Sequence, residues 1–164
     1  MDAVYLTNTS THVADLVSEN IPAELRRRRQ WVVWKLEGRE DDLTKVPYTP
    51  NTGRKAKSND LMSWGTFEEA VEALHKGRYS GLGFVFCSGD PYTGIDLDNV
   101  RDLETGALER WAAEIVEAAA AYAEISPSGR GIHLIVRGRV PARKGKGLEI
   151  YSQDRFFTVT GRSL

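Results

Sequence analysis

Apolar and polar positions along the chain divide it into a series of short elements. Trp31–Glu37 (WVVWKLE) is rich in aromatic and β-branched residues and reads as a strand. After a polar turn over 38–42, Leu43–Tyr48 returns as a second strand, stopped by Pro47 and Pro50. Asn51–Asp60 is a loop carrying Arg54, Lys55 and Lys57. Thr66-Phe-Glu-Glu69 has capping-box spacing, which starts a helix running to about Lys76, where Gly77 ends it. From Ser80 the texture changes. Gly81–Cys87 and Thr93–Asn99 read as strands joined by a turn at Ser88–Tyr92, and Leu108–Ala123 as an amphipathic helix. Ala123–Ser126, Ile132–Val136, Leu148–Ser152 and Phe156–Thr160 read as short strands. The order β-β-α-β-β-β-β after residue 80 is satisfied by a helix on one face of a mainly antiparallel sheet. Upstream, Val13, Leu16 and Val17 have helical spacing, and Pro22 opens a short helix over Ala23–Arg28. Arg26–Arg29 lie near its end, where positive charge suits the helix dipole, so a solvated helix terminus explains them, with a DNA contact as the alternative. There is no internal repeat and no low-complexity segment.

The composition supports folding into a single domain or two small packed lobes: 164 residues, 41% of them hydrophobic. A formal net charge of -1 gives no bulk signal for nucleic acid, so any basic surface must be local. Cys87 is the single cysteine, which excludes an internal disulfide and a cysteine-based zinc site and suits a reducing compartment. No stretch resembles a signal-peptide core or approaches the roughly 20 apolar residues of a membrane span. The expectation is a soluble, cytoplasmic protein with no membrane partner and no zinc.

Three stretches carry candidate chemistry. In Gly94-Ile-Asp-Leu-Asp-Asn99 the strand period of two puts Ile95 and Leu97 on one face and Asp96 and Asp98 on the other. Two carboxylates so placed repel, and a divalent cation relieves that repulsion; oxygen-only ligands suit Mg2+ or Mn2+. Two solvated aspartates on an edge strand are the bland alternative. Ser126-Pro-Ser-Gly-Arg-Gly-Ile-His133 gathers Ser126, Ser128, Gly129 and Arg130 in one turn, with hydroxyls, backbone N–H groups and a guanidinium suited to a triphosphate. A tight hairpin turn followed by a partly buried histidine competes with that reading. His133 then shares a strand face with Ile135 and Arg137. In Leu148-Glu-Ile-Tyr151, Glu149 and Tyr151 share a face, and Glu149 supplies a third carboxylate. Arg155-Phe-Phe-Thr-Val-Thr-Gly161 follows, with Arg155 and Thr160 as candidate nucleotide contacts.

The ordered set GIDLDN, EISPSGRGIH, LEIY and RFFTVTG resembles the primase-polymerase domains of the archaeo-eukaryotic primase superfamily, best those of phages, plasmids and integrated elements. WVVWKLE…TKVPYTPNTGRKAKSND…SWGTFEEA looks like the same group, so the resemblance covers roughly residues 30–161. It implies an α/β (α+β) fold of two lobes, an N-terminal α/β module and an RRM-like antiparallel sheet module with helices on one face. The corresponding division is an extension over 1–24, a first module over 25–79 and a catalytic module over 80–164. The resemblance implies that Asp96, Asp98 and Glu149 are the catalytic, metal-binding acids, with two Mg2+ or Mn2+ ions. It places Ser126, Ser128, Gly129, Arg130 and His133 on the incoming nucleotide, with Lys45 and Arg155 as further contacts. Partners would be a single-stranded DNA template and primer, NTPs or dNTPs, and a helicase domain or protein. The third acid is glutamate where aspartate is common in the superfamily, and no cysteine-histidine zinc element is present.

The chemistry agrees with nucleotidyl transfer, which uses two metals about 3.5–4 Å apart to stabilise the attacking and leaving oxygens. Arg137-Gly-Arg-Val-Pro-Ala-Arg-Lys-Gly-Lys-Gly147 holds Arg137, Arg139, Arg143, Lys144 and Lys146 without an acidic residue. Its glycines and proline predict an exposed bent loop with both ends beside the site, a candidate DNA contact. A rolling-circle-type nuclease on a related sheet is one rival, although it would use a histidine pair. A nucleic-acid-binding replication-initiation module with an idle metal site is another. A glycosyltransferase would leave the Ser-Gly turn and Glu149 without work.

Overall fold

A computed structural model describes residues 16–164; Val13, part of the upstream helical pattern, lies outside them. Leu16 and Val17 lead into a single 3-10 turn, Ser18–Asn20. Three α-helices and nine strands follow among the described residues, with a second 3-10 turn at Leu61–Ser63. They are α1 (Ala23–Arg26), β1 (Trp31–Arg39), β2 (Asp42–Tyr48), α2 (Phe67–His75), β3 (Gly81–Phe86) and β4 (Tyr92–Leu97), then α3 (Arg110–Ala119), β5 (Tyr122–Ile125), β6 (Ile132–Arg137), β7 (Arg143–Gly145), β8 (Leu148–Tyr151) and β9 (Arg155–Val159). The capping box of α2 forms as its spacing predicts: the Thr66 hydroxyl accepts from the Glu69 amide, and the Glu69 carboxylate accepts from the Thr66 amide. The α3 helix is shorter than its apolar pattern and ends at Ala120, which takes a left-handed conformation. No helix among the described residues is long and apolar enough to cross a membrane.

The protein is a mixed α+β fold with two antiparallel sheets, of order β2-β1-β3-β9 and β5-β6-β4-β8-β7. The strands after residue 80 therefore do not form one sheet. The reason is legible in β3: every residue of GLGFVF is buried, so this strand needs cover on both faces and neighbours on both edges. It sits between β1 and β9 and completes the sheet begun by the β1–β2 hairpin.

One face of that first sheet (Trp31, Val33, Phe84, Phe86, Phe157) packs on Leu25, Phe67 and Leu74 of the two short helices and on Tyr92 and Ile135 of the second sheet. Its back is closed by Ala56 and Trp64, which lie against Val32 and Val85. In the second sheet, Leu97, Ile132 and Leu134 lie under Ala112 of α3, with Ile95, Ile115 and Val116 at the margin. Ile95 and Leu97 thus take the helix side, as the alternation at 94–99 predicts. The opposite, polar face meets the outer edge of β9. A Cβ at Gly94 would stand 2.6 Å from the Phe157 ring and 2.7 Å from that of Phe86, so glycine is what lets the sheets approach here. The free edge of β9 is satisfied by side chains of the other sheet: His133 Nδ1 lies 2.9 Å from the Thr158 carbonyl, and Glu124 accepts from the Thr160 and Gly161 amides.

Candidate active site

Strand register assembles the site. Asp96 on β4 stands directly opposite His133 on β6 and opposite Glu149 on β8. His133 in turn faces Glu124 on β5, and Glu149 faces Lys144 on β7. Directly paired residues of antiparallel strands share a face, so Glu124, His133, Asp96, Glu149 and Lys144 form one row across all five strands. Three sequence stretches separated by up to 53 positions, Asp96 to Glu149, meet in that row. Asp98 follows the end of β4, exposed, its amide donating to the Gly147 carbonyl at 2.9 Å.

Within the row, His133 Nε2 is 3.5 Å from Asp96 Oδ1, and its Nδ1 is 3.7 Å from Glu124 Oε1. The imidazole is 6% exposed and stacks on Phe157 with centroids 4.9 Å apart. Strand alternation left its exposure open; the structure makes it a buried histidine with one nitrogen toward the acids. Burial alone would lower its pKa, but Glu124 and Asp96 prevail and raise it above 6.5. Burial also raises the Asp96 carboxyl above the usual aspartate range; Asp98 and Glu149 push the same way, while His133 and Lys45 oppose them. Lys45, exposed on β2, comes from the other sheet. Desolvation by the protein around its amine lowers its pKa, against the opposing pull of Asp96 and Asp98. The sequence showed no cationic neighbour for the two aspartates; the fold provides His133 and Lys45.

The Ser126–Gly131 turn is held by its own hydroxyls. Ser126 Oγ accepts from the Gly131 amide at 3.1 Å and lies 3.1 Å from Ser128 Oγ, which accepts from the Arg130 amide at 3.2 Å. Gly129 has φ 78°, the left-handed conformation the tight turn requires. Arg101 donates to the Gly129 carbonyl at 3.1 Å and Arg162 to the Ser126 carbonyl at 2.6 Å, so two arginines outside the motif pin the turn. Ser128 and Arg130 are exposed. Arg155 stacks over the Tyr151 ring at 4.6 Å, at the β8–β9 end of the site.

The basic segment behaves differently from a loop. Arg143–Gly145 forms the edge strand β7, and Lys144 lies in the row, 3.2 Å from Glu149 Oε1. Arg137 belongs to β6 and pairs with Tyr92, at the far end of β4 from Asp98; four strand residues place it about 13 Å along from His133. It donates to Glu24 at 2.5 Å. Arg139 donates to the Cys87 and Asp90 carbonyls at 2.8 and 2.9 Å and clamps the β3–β4 turn. Arg143 and Lys146 are exposed.

Sequence reasoning missed Glu124, a buried acid within EISPSGRGIH, whose signal was an acidic residue flanked by Ala123 and Ile125 in a strand. It also missed that Lys144 enters the acid row, which follows from the Lys144–Glu149 register alone. Three carboxylates near one face, with Asp96 made harder to ionise first by burial and then by Asp98 and Glu149, match the donor chemistry of a hard divalent cation. Among the described residues, however, no group of three or more His, Cys, Asp or Glu side chains is drawn together into a ready cage.

No family model matches the chain. Among curated proteins it is 42% identical over 151 residues to the DNA primase-polymerase of Nitratiruptor phage NrS-1. The match covers 86% of this chain and 20% of the phage protein, so the chain spans about a fifth of that relative's length.

Proposed function

We propose that the chain belongs with the phage and mobile-element primase-polymerases and is the nucleotidyl-transfer core of such a protein, extending a primer or an initiating nucleotide on a DNA template. The observation that carries this reading is the register of β4 with both its neighbours, which sets Asp96 between His133 and Glu149. Asp96, Asp98 and Glu149 would hold the divalent cations, Mg2+ or Mn2+, which when bound supply an activated 3′-hydroxyl and neutralise the leaving pyrophosphate. The exposed Ser128 and Arg130 of the turn offer a hydroxyl and a guanidinium to the triphosphate. His133 offers Nε2 from the same row, and its raised pKa favours the charged ring that a phosphate prefers. Lys45, which senses Asp96 and Asp98, and Arg155, over the Tyr151 ring, add positive charge from the first sheet.

One observation favours a second reading. Glu149 is ion-paired with Lys144 and the acids are not gathered into a cage, which suits a nucleic-acid-binding module whose metal site is idle. Among the described residues no histidine pair for a rolling-circle-type nuclease forms, because His75 sits on α2 with Nδ1 on the Val71 carbonyl, away from the row. Extension of a labelled primer with Mg2+ or Mn2+, beside an unprimed template and the Asp96→Ala protein, separates the readings. Metal-dependent extension lost in the variant supports the polymerase; DNA binding with no incorporation under any metal supports the idle module.

A further inference from the structure

Glu124 is the most completely buried charged side chain of the second sheet, 1% exposed. Its oxygens accept from the Thr160 amide at 3.0 and 3.1 Å, from the Gly161 amide at 2.9 Å and from the Tyr122 hydroxyl at 2.6 Å. Those donors sit on two sheets: Tyr122 beside it on β5, and Thr160–Gly161 where the chain leaves β9. Neutral donors could be met by a neutral acceptor, and burying a carboxylate is unfavourable unless its charge has a purpose or a partner. The remaining neighbour is His133, its direct register partner, with Nδ1 3.7 Å away.

The same Nδ1 lies 2.9 Å from the Thr158 carbonyl. A carbonyl oxygen only accepts, so Nδ1 carries a proton whether the ring is neutral or charged, and Nε2 is the nitrogen facing Asp96 at 3.5 Å. Just past the end of that strand, the Thr160 and Gly161 amides are tied to Glu124, which anchors the chain two residues beyond the Thr158 carbonyl.

We propose that Glu124 is a positioning residue: it fixes His133 with the proton on Nδ1 and Nε2 aimed at the Asp96 side of the cleft, and clamps the end of β9 to β5 so that the two sheets keep that alignment. This rests on the reading that His133 serves the nucleotide. Glu124 touches neither substrate nor metal, and its effect passes through the ring and the Thr158 carbonyl.

The test is a double-mutant cycle on primer extension by the whole chain, with Glu124→Gln, His133→Ala and the double variant, together with imidazole 15N spectra of the metal-free protein. The expected result is a loss of kcat/KM on the order of tenfold for Glu124→Gln while the His133 ring is present, and no further loss from Glu124→Gln once His133→Ala has removed that ring. In the spectra, the Nδ1-protonated signature of the ring, assigned by its absence from His133→Ala, should weaken in Glu124→Gln. Equal fold-losses in both backgrounds, or an unchanged ring signature, would show Glu124 to be structural only. A His133→Ala protein with wild-type kinetics would instead overturn the nucleotide role of His133, and the proposal with it. If Glu124→Gln does not fold, Tyr122→Phe removes one of the carboxylate's donors and leaves the backbone clamp. A two- to threefold loss confined to the His133 background is expected there, and equal loss in both backgrounds overturns the idea.

Discussion

Asp96 and Glu149 are direct cross-strand partners on β4 and β8, two acids facing one another on the polar side of a sheet. Like charges in that relation destabilise a sheet. The Asp96 carboxyl is raised above its ordinary 3.8, first by burial and then by Asp98 and Glu149. The sign follows from linkage: a carboxyl raised in the folded state contributes stability below 3.8, and loses it as pH climbs through the raised folded value. Once ionised, Asp96 therefore burdens the fold. Asp96→Asn is expected to abolish nucleotide incorporation while leaving Tm at pH 7 unchanged or higher. A calorimetric or fluorescence melt showing a clear fall in Tm would contradict the electrostatic account, and full incorporation by the variant would end the metal-site assignment.

His133 gives the opposite experiment. Its folded pKa lies above 6.5 because Glu124 and Asp96 outweigh burial, which comes first in size and lowers it. Its contribution to stability is complete below 6.5 and disappears as pH rises through the folded value. Wild type should therefore lose Tm relative to His133→Gln between pH 6 and a pH past that folded value. In catalysis, removing a charged hydrogen bond to phosphate worth about 1.5–3 kcal/mol should weaken nucleotide binding roughly ten- to a hundredfold in His133→Ala. Unaltered nucleotide affinity in a titration would leave the ring a packing element between Phe157 and the Thr158 carbonyl.

Lys45 tests the approach of the two sheets. It reaches the aspartates from β2, and their charges register in its pKa. Lys45→Met keeps the aliphatic stem and removes the charge. Apparent nucleotide KM is expected to rise severalfold with little change in Tm, since Lys45→Met removes a charge that is unfavourably desolvated and keeps the stem of an exposed residue. An unchanged KM would leave Lys45 as a counter-charge for the acids alone.

Much of this site could be read from local spacing. The period of two at 94–99 and 148–151 determined which residues share a face, and Thr66 with Glu69 marked a helix start, because each depends on neighbours within four positions. The division into sheets could not be read that way. β3 and β9 join β1 through pairings more than 40 residues apart in sequence, and no local period encodes a partner. Glu124 escaped for a related reason: its donors, Thr160 and Gly161, arrive only when β9 docks. The basic segment was misjudged because glycine and proline content signals a bend but not that the chain resumes pairing beyond it, as β7 does at Arg143.

The pairing of β7 with β8 also decides which cations are free to meet DNA. Of five cations in the segment, Arg137 and Arg139 are committed to Glu24 and to the Cys87 and Asp90 carbonyls, and Lys144 to Glu149. Arg143 and Lys146 are exposed on the β7–β8 hairpin, so they are the pair positioned to meet a phosphate backbone beside the acids. Changing Lys144 as well would disturb Glu149 and confound binding with catalysis. Arg143→Glu with Lys146→Glu should therefore weaken single-stranded DNA binding and leave nucleotide affinity intact. For every phosphate no longer neutralised, the slope of log affinity against log salt should flatten by about 0.7. Arg137→Ala should leave that slope alone and lower stability by no more than about 1 kcal/mol, because its ion pair is largely exposed. The deciding measurement is a salt titration of fluorescent single-stranded DNA for wild type, the hairpin pair and Arg137→Ala. Parallel lines for all three would show that the strand takes another route, and a flatter line for Arg137→Ala alone would place it at the opposite end of β4.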